Sequence, residues 1–314
     1  VSASIKGDCL STPVLFLIFN RPDLTRQVFA EIRRARPARL FVVADGPRED
    51  RPGEAELCRQ AREAIQVDWD CDFRQDFRPK NLGAKWGVSA AIDWFFQNVE
   101  EGIILEDDCL PDPSFFGFCR ELLAYYRHDT RIMHISGTNL QYGRKRGEGS
   151  YYFSRYMRCW GWATWRRAWA HFDLDLKTLP LFLEQRQLRN ILASPGMRRY
   201  WRIIFQNVAR GRVTTVWDFQ WTYAIFSQNG LCVIPNVNLV SNLGWGPRAT
   251  NTFDPKNTMA GIRTERLETV VHPTFVLPNR EADEFEARHI FLLPIHERIL
   301  NQIKRAGNIL RRTR

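Results

Sequence analysis

The sequence predicts an α/β protein, a mixed sheet flanked by helices, and three observations carry that expectation. Short apolar runs of strand length alternate with helical patterns through the first third of the chain. At 314 residues the chain is long enough for one large α/β domain with its own core. Hydrophobic residues make up 44%, with 21 Phe and 11 Trp, which is far more apolar side chain than a disordered polyelectrolyte carries, so the chain must fold.

Strands are expected at Val14–Phe19, Leu40–Ala44, Asp72–Phe77 and Gly102–Leu105. Leu24–Ala35 reads as a helix, because Leu24, Val28, Phe29 and Ile32 share one face and Asp23, behind Pro22, suits the positive end of the helix dipole. Val88–Phe96 repeats the pattern with Ala91, Ile92, Phe95 and Phe96. Both helices should cover the sheet. After Asp108 the chain turns aromatic, and eight of its 11 Trp fall between Trp160 and Trp245. Trp162, Trp165 and Trp169 are expected on nearby turns of one helix, mostly as core, with Trp160 and Gly161 ahead of it better placed for a ligand. Gly143–Gly149 reads as an exposed loop.

The formal net charge of +10 suits an anionic partner: nucleic acid, an acidic membrane surface or a phosphorylated substrate. Half of that excess sits at the end of the chain. From Pro294 an amphipathic helix carries Ile295, Ile299, Ile303, Ala306 and Leu310 on one stripe, with six basic residues against Glu297 alone. Such a helix suits docking on an anionic membrane or packing on the body of the protein, and the nucleic-acid reading loses most of its support. The seven Cys show neither C-x-x-C nor zinc spacing, as expected for free thiols in a reducing compartment. There is no apolar run of 18 residues, and no signal segment precedes Val14, so a cytoplasmic protein, at most peripheral to a membrane, is expected.

The sharpest motif is Gly102-Ile-Ile-Leu-Glu-Asp-Asp108, an apolar strand running into three carboxylates. Strand alternation points Glu106 and Asp108 one way and Asp107 the other. Adjacent acids repel unless a cation or donors compensate, and the carboxyl end of a strand is where open α/β sheets bind ligands. Mg²⁺ or Mn²⁺ with a diphosphate completing its shell fits that position; so does a plain polar strand end leading to the helix start at Asp112-Pro113. Asp45-Gly46-Pro47, at the end of the second strand, can accept hydrogen bonds from a base or ribose or can simply be a turn. Lys80-Asn81-Leu82-Gly83 offers a cation, an amide and flexible backbone, or only a helix entry. Trp217-Asp218-Phe219-Gln220-Trp221 sets one carboxylate between indoles, which raises its pKa toward general-base use, or it is a helix cap among core aromatics. Neither G-x-G-x-x-G after a strand nor G-x-x-x-x-G-K-[ST] occurs, and the six His form no metal spacing. Of these only His272 is a candidate auxiliary contact.

Taken in order from Val14 to Thr252, these residues resemble the GT-A-fold inverting glycosyltransferases, above all the N-acetylglucosaminyltransferase I type and its bacterial glycosyltransferase relatives. Val14-Leu-Phe-Leu-Ile-Phe-Asn-Arg-Pro is similar to that family's first strand and following Arg, and Glu106-Asp107-Asp108 to its E-D-D form of the D-x-D motif. The resemblance implies a GT-A domain over residues 1–290, with a nucleotide-binding half near 12–110 and an acceptor half near 111–260, followed by the basic helix at 291–314. It implies transfer from a nucleotide-diphosphate sugar, most simply a UDP-sugar, to a hydroxyl of a glycan or glycolipid. Asp108 would hold Mn²⁺ or Mg²⁺; Arg21, Asp45, Asn81, Glu106 and Asp107 would seat the nucleotide sugar; Asp218 would be the base. Trp160, Gly161, Trp162, Trp217 and Trp221 would meet the acceptor, and Asn242, Gly244 and Arg248 would belong to a loop closing over the donor. The family's Trp-Asp-Asp-Trp segment carries a second Asp that is absent here, where Phe219-Gln220 follow Asp218. A sugar nucleotidyltransferase is the alternative, but Asn20-Arg-Pro-Asp-Leu-Thr stands where a Gly-rich phosphate loop would be expected. A basic nucleic-acid-binding metal enzyme is the other.

Overall fold

The computed structural model describes residues 9–246 and 258–292, so Arg248 and the basic terminal helix, from 293 onward, lie outside the described residues. The first third forms β1 (Val14–Ile18), α1 (Pro22–Ala35), β2 (Arg39–Ala44), α2 (Glu54–Glu63), β3 (Asp72–Phe77), α3 (Gly83–Asn98) and β4 (Glu101–Glu106). Next come β5 (Cys109–Pro111), α4 (Ser114–Tyr125), β6 (Ile132–Ser136), β7 (Tyr151–Ser154), β8 (Trp162–Trp165), the single turn α5 (Arg166–Trp169), α6 (Leu179–Glu184) and α7 (Leu188–Ile191). Then follow α8 (Pro195–Ala209), α9 (Asp218–Ser227), β9 (Leu231–Pro235), β10 (Val240–Asn242) and α10 (Arg280–Glu286), which runs into a π-helical turn at Ala287–Phe291.

Eight strands make one mixed sheet in the order β3-β2-β1-β4-β8-β6-β9-β7, while β5 and β10 pair as a separate ribbon. The first four are parallel; β8 runs antiparallel to both β4 and β6. Because β1 is central, both its faces are buried, and a strand buried twice is a continuous apolar run. Val14, Phe16 and Ile18 pack with Val28, Phe29 and Ile32 of α1, whereas Leu15 and Leu17 pack with Ala91, Ile92 and Phe95 of α3. The expected elements of this half form with their cores as read, except that Thr25 is buried in α1 and Leu24 only half so. The order 3-2-1-4 reverses direction of winding between β1 and β4, and the crevice at such a reversal is where open sheets take ligands.

One expectation is overturned in the second half. Trp162 and Trp165 lie in strand β8, not on a helix with Trp169, because the backbone of Trp162–Trp165 pairs with β4 on one side and β6 on the other. A third apolar cluster, outside the two sheet faces, gathers Trp201 and Phe205 of α8 with Tyr223 and Phe226 of α9.

Candidate active site

A cavity of about 680 Å³ opens at the carboxyl ends of β1, β2 and β4. Its wall includes Arg21, Asp45, Asn81, Glu106, Asp107, Asp108, Trp160, Trp217, Asp218 and Asn242, so most of the residues singled out in sequence meet in one place.

Arg21 follows β1 and starts α1; from there its guanidinium reaches across the β1–β4 crevice. Its Nη2 donates to Asp107 Oδ1 at 2.5 Å and its Nη1 to Asp108 Oδ2 at 2.8 Å. The alternation expected for a strand therefore fails after Glu106: β4 ends there, the chain turns, and Asp107 and Asp108 both face the same cation. Phe19 N–H donates to the other oxygen of Asp107 at 3.3 Å. Burial works against the charge on Arg21, but the two aspartates outweigh it and hold the guanidinium above its ordinary pKa. Burial also pushes the carboxyls of Glu106 and Asp107 upward; for Glu106 the neighbouring Asp108 and Asp107 add to the effect, while Arg21 opposes it at both. Three acids against one arginine leave negative charge on this wall.

The ribbon β5–β10 brings a distant segment onto the acids. Leu243 N–H donates to the backbone oxygen of Asp108 at 2.8 Å, and Asn242 Oδ1 accepts from Gly244 N–H at 2.9 Å. A Cβ on Gly244 would lie 2.0 Å from Asp108 Oδ2 and 2.8 Å from Arg21 Nη1, so only glycine fits there.

Asp45 lines the cavity but its carboxylate is already engaged. It accepts from Gly46 N–H at 3.0 Å, and from Leu82 and Gly83 N–H at 3.0 Å each, so it caps the start of α3 across 37 residues of sequence. Asn81 donates to Gly46 O at 2.8 Å and ties the same two turns together. Besides lining the cavity, the Asp45 oxygens hold the helix that forms its wall.

Asp218 is the first residue of α9, after Trp217. Its Oδ1 is buried with no hydrogen-bond partner among the described residues, and burial pushes its pKa up to about 6, against a smaller opposing effect of backbone N–H groups. Burial, Asp218 and Glu106 together raise the Cys159 thiol, which lines the same space and stays protonated.

The aromatic residues divide. Trp160, half-buried, and Trp217 are on the cavity wall, whereas Gly161, Trp162 and Trp221 are not. Trp162 and Trp221 are each 0% exposed, so the acceptor role expected of them is corrected: they form the support behind the wall. Trp162 stacks on Trp217 with ring centres 5.5 Å apart, and Trp221 Nε1 donates to His134 Nδ1 at 3.1 Å. Burial holds His134 neutral, its pKa lowered to about 3, which keeps Nδ1 an acceptor. Gly161 is needed for its backbone: φ is +62°, and a Cβ would meet Val240 at 2.7 Å. His272 is elsewhere, bonded to Tyr151 and stacked on Tyr125, and contacts nothing in the cavity.

Sequence reading missed Arg78, Arg158, Trp201, Ile290 and Phe291, all on the wall. Arg78 Nη1 donates to Gly87 O at 2.8 Å, and Arg158 pairs with the buried Glu286 of α10. For Trp201 the i, i+4 run Met197, Trp201, Phe205 shows a buried face but not what that face adjoins.

Among the described residues no cluster of three or more His, Cys, Asp or Glu encloses a cation. The mutual repulsion that, with burial, pushes the Glu106 carboxyl upward beside Asp107 and Asp108 would be relieved by a hard divalent ion of the kind that takes one or two carboxylates and completes its shell from a bound phosphate.

No family model matches the chain, and no curated protein matches it. Among solved structures, a mannosyltransferase from Pyrobaculum calidifontis in complex with GDP-Man and Mn²⁺ is similar at 11% identity, covering 71% of this chain and 72% of that one, with a TM-score of 0.38. A UDP-glucose pyrophosphorylase complexed with UDP-glucose is similar at 11% identity over 51% of this chain and 78% of that one, with a TM-score of 0.31.

Proposed function

We propose that the protein is a metal-dependent, inverting glycosyltransferase that moves a sugar from a nucleotide-diphosphate sugar, a UDP-sugar in the first instance, to a hydroxyl of a glycan or glycolipid. The observation that carries this reading is the pairing, on one cavity wall, of an acid trio at the end of β4 with a separate buried carboxyl, Asp218, that has an unpartnered oxygen and a pKa of about 6. Two carboxylate environments held apart in one cavity supply two roles.

In this reading the donor lies over the β1–β4 crevice. Asp108, with Glu106 beside it, would hold Mn²⁺ or Mg²⁺, and the ion would offset charge on the diphosphate as it leaves. Arg21 holds Asp107 and Asp108 in place. Asp218 accepts the proton of the acceptor hydroxyl as that oxygen attacks the anomeric carbon from the side opposite the diphosphate, which inverts configuration. Trp160 and Trp217 offer faces to the acceptor sugar, and the Asn242–Gly244 segment, continuing toward Arg248, covers the donor against water. No helix among the described residues is long and apolar enough to cross a membrane. A cytoplasmic location remains part of the proposal.

The test is UDP with Mn²⁺. A thermal shift is expected for the wild type and its loss for Asp108→Ala; no shift in the wild type, or an equal shift in the variant, removes the donor site from this wall.

A further inference from the structure

Beyond Asp218 the cavity changes character. Here its wall is made by residues of the third apolar cluster, Tyr156, Trp201, Phe219 and Phe291, together with Ile290 and Arg158. The rings support one another: Tyr156 and Phe291 have centroids 4.9 Å apart, Trp201 and Phe291 5.6 Å, and Trp201 and Phe219 6.1 Å. Arg158 brings no free charge, because Glu286 neutralises it.

Two further observations mark this end as a place for a ligand rather than ordinary core. Trp201 is 3% exposed, and its Nε1 has no hydrogen-bond partner among the described residues; neither has the buried Nε of Arg158. A buried donor left unpaired is uncommon in a settled core, so this end is not packed as the rest of the interior is. In addition, Ile290 and Phe291 sit on a π-helical turn, a wide and less stable backbone form that recurs at functional sites.

Resting on the glycosyltransferase reading, we propose that this lobe takes an apolar aglycone: the acceptor is a sugar carried on an alkyl or prenyl chain, whose reacting hydroxyl lies at Asp218 and whose chain lies among Trp201, Phe219 and Phe291. The lobe is continuous with the catalytic carboxyl, through Phe219 next to Asp218, so one molecule spans both. A polyanionic acceptor would find no unneutralised cation on this aromatic wall.

The experiment compares glucose, galactose and N-acetylglucosamine as free sugars, methyl glycosides and octyl glycosides, below the micellar concentration, with UDP and Mn²⁺ present. Affinity is read by calorimetry and the contacting protons by saturation-transfer NMR. An octyl glycoside is expected to bind at least about tenfold more tightly than its methyl counterpart, with saturation on the alkyl protons, since each buried methylene contributes about fourfold. Phe291→Ser and Trp201→Phe should each shrink that advantage. Phe275→Ser, at a side chain 72% exposed and off the cavity wall, should leave it intact. Equal methyl and octyl affinities in a protein that binds UDP with Mn²⁺ overturn this inference alone. An advantage lost in Phe275→Ser and kept in Phe291→Ser overturns it too, as surface adsorption. Failure to bind UDP with Mn²⁺ takes down the glycosyltransferase reading instead.

Discussion

The two ends of the cavity solve opposite problems. At the β1–β4 end most polar groups have partners within the chain: Arg21 spans Asp107 and Asp108, and Asp45 is engaged by the backbone of α3, so that only the surplus of acid beside Glu106 is left unmatched. At the α8–α9 end the wall is aromatic, and its polar atoms, Asp218 Oδ1 and Trp201 Nε1, are buried without partners among the described residues. A satisfied end is stable before any ligand arrives, whereas an unsatisfied end stores part of its binding energy as a penalty already incurred.

The largest test of that contrast is Asp218→Asn. Transfer should fall by about 10²–10⁴-fold while UDP binding with Mn²⁺ persists. Because burial raises this carboxyl to about 6 in the folded chain, above its ordinary value, the stability it lends is present in acid and lost as pH rises through about 6. Wild-type transfer should therefore decline below about pH 6, and Asp218→Asn should unfold at higher urea than wild type at pH 8. A variant that is both active and less stable would place Asp218 among the satisfied groups. Next in size is Arg21→Ala, which leaves two aspartates without their cation and should cost about 3 kcal/mol in urea titration; a loss below 1 kcal/mol, about that of a surface pair, would mean the clamp is not what holds this end. Gly244→Ala comes third, since its Cβ would fall within 2.0 Å of Asp108 Oδ2 and must displace either the ribbon or the carboxylate. A destabilisation of about 1–3 kcal/mol is expected, with weakened Mn²⁺-dependent UDP binding by calorimetry. The smallest is Asp45→Ala, about 1 kcal/mol for a lost helix cap. Asp45→Asn should recover part of it, and a loss of UDP affinity without any loss of stability would restore the base-contact role to Asp45.

How much of this could be read from residue order follows from which contacts are local. The runs of β1, β2 and β4 and the periodic faces of α1 and α3 declared themselves, because an element buried on a known face repeats at its own period. The acid trio stood out for the same reason, as a break in an apolar strand. Trp162, Trp165 and Trp169 misled because spacings of three and four fit a helix, whereas pairing of Trp162–Trp165 with strands on both sides decided the matter. The roles of Arg21 and Asp45 depend on partners 86 and 37 residues away, distances over which no pattern carries information. The aromatic lobe is still less legible: α8 and the π-helical turn meet there through packing alone, as the Trp201–Phe291 contact shows.

The ribbon of β5 and β10 has one further consequence. Since the Leu243 amide is bonded to the Asp108 oxygen itself, the end of the ribbon is tied directly to the backbone of the acids. Any opening that breaks this hydrogen bond exposes one identifiable proton to solvent, and its exchange into deuterated water becomes a clock for that contact, readable at a single amide without substrate, product or turnover.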